Sequence, residues 1–282
     1  MSELPPLREV IATHGLDARK SFGQHFLFDL NLTAKIARLA GPLDGLIAVE
    51  IGPGPGGLTR GLLATDARHV IAIEKDRRFL PALEEAGAHY GDRLTLIEAD
   101  ALEADEAALT GGKPAVIASN LPYNVGTPLL IKWLKASPIW WSAAVLMFQR
   151  EVADRVVAKA GAKAYGRLAV LTAAIASARI GLKVPARAFT PPPKVESAVV
   201  VLHPLPAEKR FHDLDALEAV TESAFGQRRK MLRSSLSAAA SKAGTTAEHL
   251  LTAAGIEPTA RAETIPPEGF FRLAEAWRMA KG

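Results

Sequence analysis

The stretch VEIGPGPGG occupies residues 49–57 and decides the fold. It follows an apolar run at residues 47–51 that is typical of a buried β-strand, and a helical pattern begins at Leu58. Its glycines allow the backbone to turn sharply and to approach a ligand closely. A strand, a glycine-rich turn and a helix in this order predict a nucleoside-binding loop in an α/β domain.

Two sequence templates fit this loop. Gly52, Gly54 and Gly57 satisfy the G-x-G-x-x-G pattern of dinucleotide-binding proteins. Glu50, with glycines at 52, 54 and 56, satisfies the E-x-G-x-G-x-G pattern of S-adenosylmethionine enzymes. The loop by itself leaves both cofactors open, and a purely structural turn is the third interpretation.

Strand and helix patterns alternate along the first 200 residues, which predicts a doubly wound parallel sheet with helices on both faces. Two later strand patterns, at 179–184 and 195–202, are expected to pair antiparallel at the sheet edge. The predicted strands of the parallel part are 47–51, 70–73, 94–97, 115–118 and 143–148, and the predicted helices are 58–65, 77–85, 128–134, 151–158 and 168–176.

The character of the sequence changes after His203. Pro204 and Pro206 mark a boundary, and only helix patterns follow them. We therefore predict one domain at residues 1–203 and a small all-helical domain at residues 204–282.

Four helices are expected in this second domain. The first two cover residues 214–225 and 229–240. Thr245 and Glu248 form a capping-box pattern at the start of the third, which Gly255 can terminate. The last helix starts at Pro266-Pro267 and carries Phe270, Leu273 and Trp277 along one face.

Two acidic residues stand where predicted strands end. Glu74 lies 22 positions after Gly52, and Asp100 follows the third strand. Ligands of parallel sheets bind outside the carboxyl ends of the strands. A carboxylate at Glu74 can accept hydrogen bonds from both ribose hydroxyls of NAD or S-adenosylmethionine, and Asp100 can accept one from an adenine amino group.

The segment that follows the fourth strand separates methyl transfer from hydride transfer. An aromatic amine is a poor nucleophile, so an enzyme that methylates it needs hydrogen-bond acceptors beside the amine. Asn120 offers a side-chain carbonyl, Leu121 a backbone carbonyl, and Pro122 stiffens the bend. Tyr123 offers a ring on which a flipped base can stack, worth roughly 1–3 kcal/mol. An ordinary Asn-Pro turn is the alternative interpretation.

Basic residues are concentrated in the second half of the chain. The net charge is +4, yet residues 1–150 contain 15 Lys and Arg against 17 Asp and Glu. Eight basic residues and no acid lie between Arg155 and Val195, and five basic residues and no acid lie between Ser223 and Ala247. Such tracts favour contact with a polyanion such as nucleic acid, although a solvated basic face is the alternative.

Several protein classes are disfavoured. The chain has no cysteine, and its seven histidines form no metal-ligand spacing, so we expect no metal. Its start carries no signal pattern, and its apolar runs are too short to span a bilayer. We therefore expect a cytoplasmic protein with no membrane partner.

With these features in place, the chain resembles the rRNA adenine dimethyltransferases. Asn120 to Tyr123 look like the catalytic motif of that family. Three other strings agree with it in order, and the resemblance covers about residues 19–273. They are KSFGQHFL at 20–27, where the family usually has Asn in place of His25, FTPPPKVESAV at 189–199, and FGQRRKMLR at 225–233.

The resemblance implies a Rossmann-like class I methyltransferase domain followed by an rRNA-binding helical domain, with S-adenosyl-L-methionine as cofactor. It implies that the catalytic residues are Asn120, Leu121, Pro122 and Tyr123, and that the cofactor contacts His25, Leu27, Gly52, Gly54, Glu74, Asp100 and Asn120. Tyr123 and Phe189 would stack on the target base, while Arg228, Arg229, Lys230 and Arg233 would contact rRNA phosphates. Packing is the interpretation that we favour for the pair Trp140-Trp141.

The similar family members dimethylate two adjacent adenines in the 3′-terminal hairpin of 16S rRNA, within the small ribosomal subunit or its precursor. The sequence thus predicts this reaction, a link to subunit biogenesis, and a monomeric enzyme. Two alternatives stay open: a 23S rRNA methyltransferase that confers antibiotic resistance, and an assembly factor that acts by binding precursor rRNA. An NAD-dependent oxidoreductase remains only if the string at Asn120 is accidental.

Overall fold

The computed structural model describes residues 4–16 and 24–282. These residues form two compact units. The first comprises the described residues up to Ala153 together with Arg179–Pro204, and the second comprises Asp154–Ala178 and Leu205–Gly282. No helix in the described part of the chain is long and apolar enough to cross a bilayer.

Nine strands are found in the described residues. Seven form one sheet, and the two shortest pair with each other as an antiparallel ribbon. The strands are β1 (Phe26–Leu27), β2 (Ile47–Ile51), β3 (His69–Glu74), β4 (Leu94–Glu98), β5 (Ala115–Asn120), β6 (Trp141–Gln149), β7 (Ala176–Val184), β8 (Phe189–Thr190) and β9 (Ser197–Pro204).

The seven-stranded sheet has the order β4-β3-β2-β5-β6-β9-β7. Its first five strands are parallel neighbours, and β9 runs antiparallel to β6. The five predicted parallel strands and the two late strands at the edge are therefore confirmed. Sequence analysis missed the ribbon, because β1 and β8 contain only two residues each.

Helices of the first unit fill the connections between strands. They were predicted to within a few residues, except that α1, α2 and α5 were missed. The helices are α1 (Leu7–His14), α2 (Leu30–Ala37), α3 (Gly57–Leu63), α4 (Leu80–His89), α5 (Glu106–Leu109), α6 (Gly126–Leu134) and α7 (Arg150–Val156), which continues into the second unit.

Two hydrophobic clusters position the loops at the carboxyl ends of the strands. The larger one joins α2 and α3 to the sheet through residues such as Ile36, Leu62 and Val70, all fully buried. The smaller one joins α1, β1 and α4 through Phe26 and Phe79, whose rings meet edge to face at 5.6 Å. The β1 segment is therefore fixed between the helices and the glycine loop.

The second unit consists of helices. α8 packs on α9 and α13, and its core includes the aromatic residues Tyr165, Phe225 and Phe270. The helices are α8 (Arg167–Ile175), α9 (Leu214–Gly226), α10 (Leu232–Ser235), α11 (Ser237–Lys242), α12 (Ala247–Ala253) and α13 (Pro267–Lys281).

The observed division of the chain differs from the predicted one at residues 154–178. We expected them in the first domain, but the structure groups them with the C-terminal helices. The hydroxyl of Tyr165 donates to the carbonyl oxygen of Ile265 at 2.8 Å, and Arg167 pairs with Glu218 at 2.5 Å. These contacts join segments far apart in sequence, which local patterns cannot reveal.

Two details of the predicted helices are wrong. The helix expected at 229–240 begins only at Leu232, because the N–H groups of Leu232 and Arg233 donate to the carbonyls of Ala260 and Pro258. Thr246, not Thr245, caps α12, and its hydroxyl accepts the N–H of His249 at 3.1 Å. The stop at the next glycine is confirmed, and so is the buried face of α13.

The close approach of α2 and α3 gives a test of this packing. A Cβ on Gly61 would lie 2.9 Å from the backbone carbonyl of Thr33, inside contact distance. Gly61→Ala should therefore destabilise the protein by about 1–3 kcal/mol in urea unfolding, although alanine normally favours a helix. Gly226→Ala is the control, since nothing lies within 4 Å of its Cβ. A Gly61→Ala protein as stable as the parent would contradict the close approach.

Candidate active site

A cavity of about 630 Å³ lies at the carboxyl ends of β2, β3, β4 and β5. The loops that leave parallel strands converge there, and the volume suits a cofactor-sized ligand. Every residue that was predicted to bind the cofactor or to belong to the catalytic motif lines it. They are His25, Leu27, Gly52, Gly54, Glu74, Asp100, Asn120, Leu121, Pro122 and Tyr123.

The glycine loop passes close to two other segments of the site. Gly52 and Gly54 have φ angles of +65° and +54°, which side chains with a Cβ rarely adopt. A Cβ on Gly52 would lie 3.5 Å from Cδ of Pro122, and one on Gly54 would lie 3.3 Å from Cε1 of Phe26. The loop therefore contacts both the predicted catalytic motif and β1.

Glu74 ends β3 and is 7% exposed. Its Oε2 accepts the N–H of Gly54 at 3.0 Å, and its Oε1 accepts the N–H of Asp76 at 2.8 Å. Burial raises the pKa of this carboxyl above its ordinary value, and the two backbone hydrogen bonds oppose that shift. The side chain thus connects the glycine loop to the end of β3.

Asp100 follows β4 in a more polar setting. Its Oδ2 accepts from Nζ of Lys75 at 2.6 Å, and its Oδ1 accepts the N–H of Leu102 at 3.0 Å. The hydrogen bond from Lys75 is the main reason that the pKa of Asp100 lies below its ordinary value. Asp100 is therefore a carboxylate near neutral pH and can accept a further hydrogen bond. Its partner Lys75 was not among the predicted site residues.

Asn120 ends β5, and its side chain is oriented by the backbone of His25, the residue just before β1. Its Nδ2 donates to the carbonyl oxygen of His25 at 2.9 Å. This bond leaves Oδ1 of Asn120 as a hydrogen-bond acceptor at the cavity. The preceding residue, Ser119, is fully buried, and its hydroxyl donates to the carbonyl oxygen of Ile51, which fixes the end of β5 against β2.

Tyr123 and His25 form an aromatic pair at the cavity. Their ring centroids lie 5.4 Å apart. The hydroxyl of Tyr123 shares a hydrogen bond of 2.8 Å with Oγ of Ser197. Nδ1 of His25 donates to the carbonyl oxygen of Pro191 at 2.7 Å, so the neutral ring keeps Nε2 as an acceptor. Both rings are thus oriented by residues of the FTPPPKVESAV string at 189–199.

The structure does not place Phe189 at the cavity. Its side chain is 2% exposed and belongs to the hydrophobic core, and its ring is nearly perpendicular to that of His25, with the centroids 6.4 Å apart. A base has no access to its face, so the expected stacking role is not supported by this position. The first four residues of the KSFGQHFL string, 20–23, lie outside the described residues.

Glu50 is a further acidic residue of the cavity that the sequence analysis treated only as part of a template. It is 1% exposed, lies on β2, and its Oε2 has no hydrogen-bond partner in the described part of the chain. Burial raises its pKa to about 8. The sequence did contain a signal for this residue, because an acid within an otherwise apolar strand pattern indicates a functional position.

The four predicted phosphate-binding residues lie in the second unit and are exposed. Arg228, Arg229 and Lys230 occupy the turn between α9 and α10, and Arg233 lies on α10. The helix predicted at 229–240 would have placed Arg229 and Arg233 on one face. Because Arg229 lies in the turn before α10, the two residues do not share a helix face. Nη2 of Arg228 donates to the carbonyl oxygen of Lys163 at 2.7 Å, so this residue also has a structural contact.

Comparison with known proteins identifies the family of this chain. The family model described as "Ribosomal RNA adenine dimethylase" matches residues 15–278. A protein of Maricaulis maris named ribosomal RNA small subunit methyltransferase A is 63% identical over 99% of this chain and 97% of its own length. A protein of the same name from Phenylobacterium zucineum is 60% identical over 98% of this chain and 94% of its own length.

Solved structures show the same fold. A dimethyladenosine transferase from Plasmodium falciparum covers 91% of this chain and 98% of its own, with a TM-score of 0.76 and 24% identity. The 23S rRNA methyltransferase ErmE covers 90% of this chain and 99% of its own, with a TM-score of 0.64 and 28% identity. The predicted Rossmann-like class I methyltransferase fold is thereby confirmed. Together, the matches show that the chain belongs to the ribosomal RNA adenine dimethylase family, whose cofactor is S-adenosyl-L-methionine.

Proposed function

We propose that this enzyme dimethylates two adjacent adenines in the 3′-terminal hairpin of 16S rRNA, on the small ribosomal subunit or its precursor in the cytoplasm. The observation that carries the proposal is one cavity that brings together the segment from Asn120 to Tyr123, the glycine loop and two strand-end carboxylates. The choice of the small subunit is supported by sequence identity. Relatives named ribosomal RNA small subunit methyltransferase A are 54–63% identical to this chain, whereas the 23S rRNA methyltransferase ErmE is 28% identical.

The residues of the cavity fit S-adenosyl-L-methionine. The carboxylate of Glu74 has about four lone-pair positions and uses two for backbone N–H groups, so two remain for ribose hydroxyls. Asp100 would accept from the adenine amino group, and Leu27 and His25 would contact the methionine end. When bound, the cofactor supplies a methyl group on a positively charged sulfur. No three His, Asp or Glu side chains in the described residues are grouped to hold a metal.

The target amine would be activated by two acceptors. Oδ1 of Asn120 and the carbonyl oxygen of Leu121 can each accept one hydrogen of an adenine amino group, which increases electron density on its nitrogen. Tyr123 would stack on the flipped base. Each transfer would leave S-adenosylhomocysteine and a positively charged nitrogen, which releases one proton to solvent. After the first transfer the neutral amine keeps one hydrogen, so one acceptor can still orient it for the second.

The cofactor assignment is tested at Glu74. Glu74→Ala should weaken S-adenosylmethionine binding by about 1–3 kcal/mol, because hydrogen bonds to a charged acceptor are lost. Isothermal titration calorimetry measures the change. Glu98→Ala is the matched control, because Glu98 pairs with Glu74 in the sheet register but does not line the cavity. Equal affinity of the folded Glu74→Ala protein and the parent would remove Glu74 from the cofactor site.

Methyl transfer from labelled S-adenosylmethionine tests the reaction and its target. Small subunits that lack the modification should accept label, and large subunits should not. Asn120→Ala should lower turnover by about 10²–10³-fold, the effect of losing one positioned polar group in an active site, while small-subunit binding stays near normal. Labelled large subunits would favour the 23S alternative. Normal subunit binding without transfer by the parent would favour the assembly-factor alternative.

The proposed grip on rRNA is tested by charge reversal. Arg229→Glu combined with Arg233→Glu should weaken small-subunit binding and lower the slope of its salt dependence by about two, because two phosphate contacts are lost. The affinity for S-adenosylmethionine should not change. Lys209→Glu combined with Lys281→Glu is the control, with the same charge change at exposed positions of the same unit. Binding like the parent at low and moderate salt would exclude these two arginines from the interface.

A further inference from the structure

Lys132 lies near the end of α6 and uses all three hydrogens of its ammonium group. Nζ donates to Oε2 of Glu106 at 2.8 Å, to the carbonyl oxygen of Ala101 at 2.7 Å, and to the carbonyl oxygen of Ala104. The carboxylate of Glu106 is 3% exposed, and its other oxygen accepts Nε1 of Trp133 at 3.1 Å. The side chain of Lys132 is 29% exposed, so this is a half-buried ion pair, and all of its polar atoms have hydrogen-bond partners.

The two carbonyl groups belong to the segment that follows Asp100. Ala101 and Leu102 line the cavity beside Asp100, and the N–H of Ala104 donates back to the carbonyl oxygen of Asp100 at 3.0 Å. Lys132 therefore fixes both ends of the turn that forms one wall of the cavity.

We propose that Lys132 is a positioning residue for the cofactor, which holds the turn from Ala101 to Ala104 in the shape that accepts the adenine end. The inference rests on the proposed function, because it requires the adenosine half of the cofactor beside Asp100. Lys132 is not among the residues that line the cavity, so we assign it no direct contact with the cofactor or the target base. It acts through the backbone of the turn and through its charge.

The charge contributes in the same direction as the geometry. The hydrogen bond from Lys75 is the main cause that lowers the pKa of Asp100, and the charge of Lys132 makes a smaller contribution in the same direction. Lys132 also belongs to the helix that follows the segment from Asn120 to Tyr123. α6 thus begins just after the proposed catalytic segment, and near its end Lys132 holds the turn from Ala101 to Ala104.

The test compares Lys132→Met with the parent by calorimetric titration of S-adenosylhomocysteine and of S-inosylhomocysteine, which lacks the adenine amino group. Lys132→Met should bind S-adenosylhomocysteine at least tenfold more weakly than the parent. The ratio of its affinities for S-adenosylhomocysteine and S-inosylhomocysteine should also fall. In turnover assays KM for S-adenosylmethionine should rise tenfold while kcat changes less than threefold. Lys113→Met is the control, since it removes the same charge just before the start of β5, at the other end of the strand.

Each result decides between the interpretations. A folded Lys132→Met protein that binds both ligands like the parent, with only a lower melting temperature, would show a purely structural role and overturn the inference. If Lys132→Met does not fold, Glu106→Gln replaces it: a three- to fivefold loss of S-adenosylhomocysteine affinity supports the inference, and parental affinity overturns it. A parent protein that binds no S-adenosylhomocysteine would refute the proposed function itself.

Discussion

Gly57 brings the start of α3 against the backbone of β1, and the rest of the site depends on this close approach. A Cβ at this position would lie 2.4 Å from the carbonyl oxygen of Leu27, a distance that real side chains do not adopt. With glycine there, β1 lies directly beside the glycine loop, and the backbone of His25 can orient Asn120. Together with the close approaches of Gly52 and Gly54, the absence of a side chain at Gly57 allows the loop, the ribbon and the end of β5 to form one cavity.

The two strand-end carboxylates have different electrostatic settings, and the difference fits the ligand groups proposed for them. Glu74 is buried and has its pKa raised, but two backbone N–H groups offset part of the cost of its charge. Asp100 is more exposed and has its pKa lowered by Lys75. Ribose hydroxyls can donate to a buried acceptor that is already fixed by backbone bonds, whereas the adenine amino group meets an acceptor supported by cations.

Local patterns were sufficient for those parts of the molecule in which the decisive contacts are close in sequence. The run at residues 47–51 is apolar except for Glu50 and is followed by a glycine-rich segment, so its strand could be predicted without knowledge of its neighbours. The segment from Asn120 could be placed at the cavity because parallel strands end at the same edge. Phe189 could not be placed correctly, because its burial depends on packing against core residues distant in sequence. The same reason explains why the start of α10 was misplaced and why the hydrogen bonds of Lys132 were not predicted. In both cases the partners lie 25 or more residues away, and most of them are backbone carbonyls, which give no signal in the sequence.

Under the proposed function, the second unit supplies affinity for rRNA, and the cavity in the first unit selects the base. The turn after α9 presents cations whose attraction to phosphates is independent of sequence, and Arg228 is partly committed to the carbonyl of Lys163. Arg229, Lys230 and Arg233 can therefore position rRNA but cannot distinguish adenine from another base. Discrimination against bases without an amino group at the reacting position requires acceptors matched to that group, and in the described residues Asn120 and Leu121 supply them beside the glycine loop. A base with a carbonyl group at the corresponding position would place an acceptor against two acceptors, so the cavity itself excludes it.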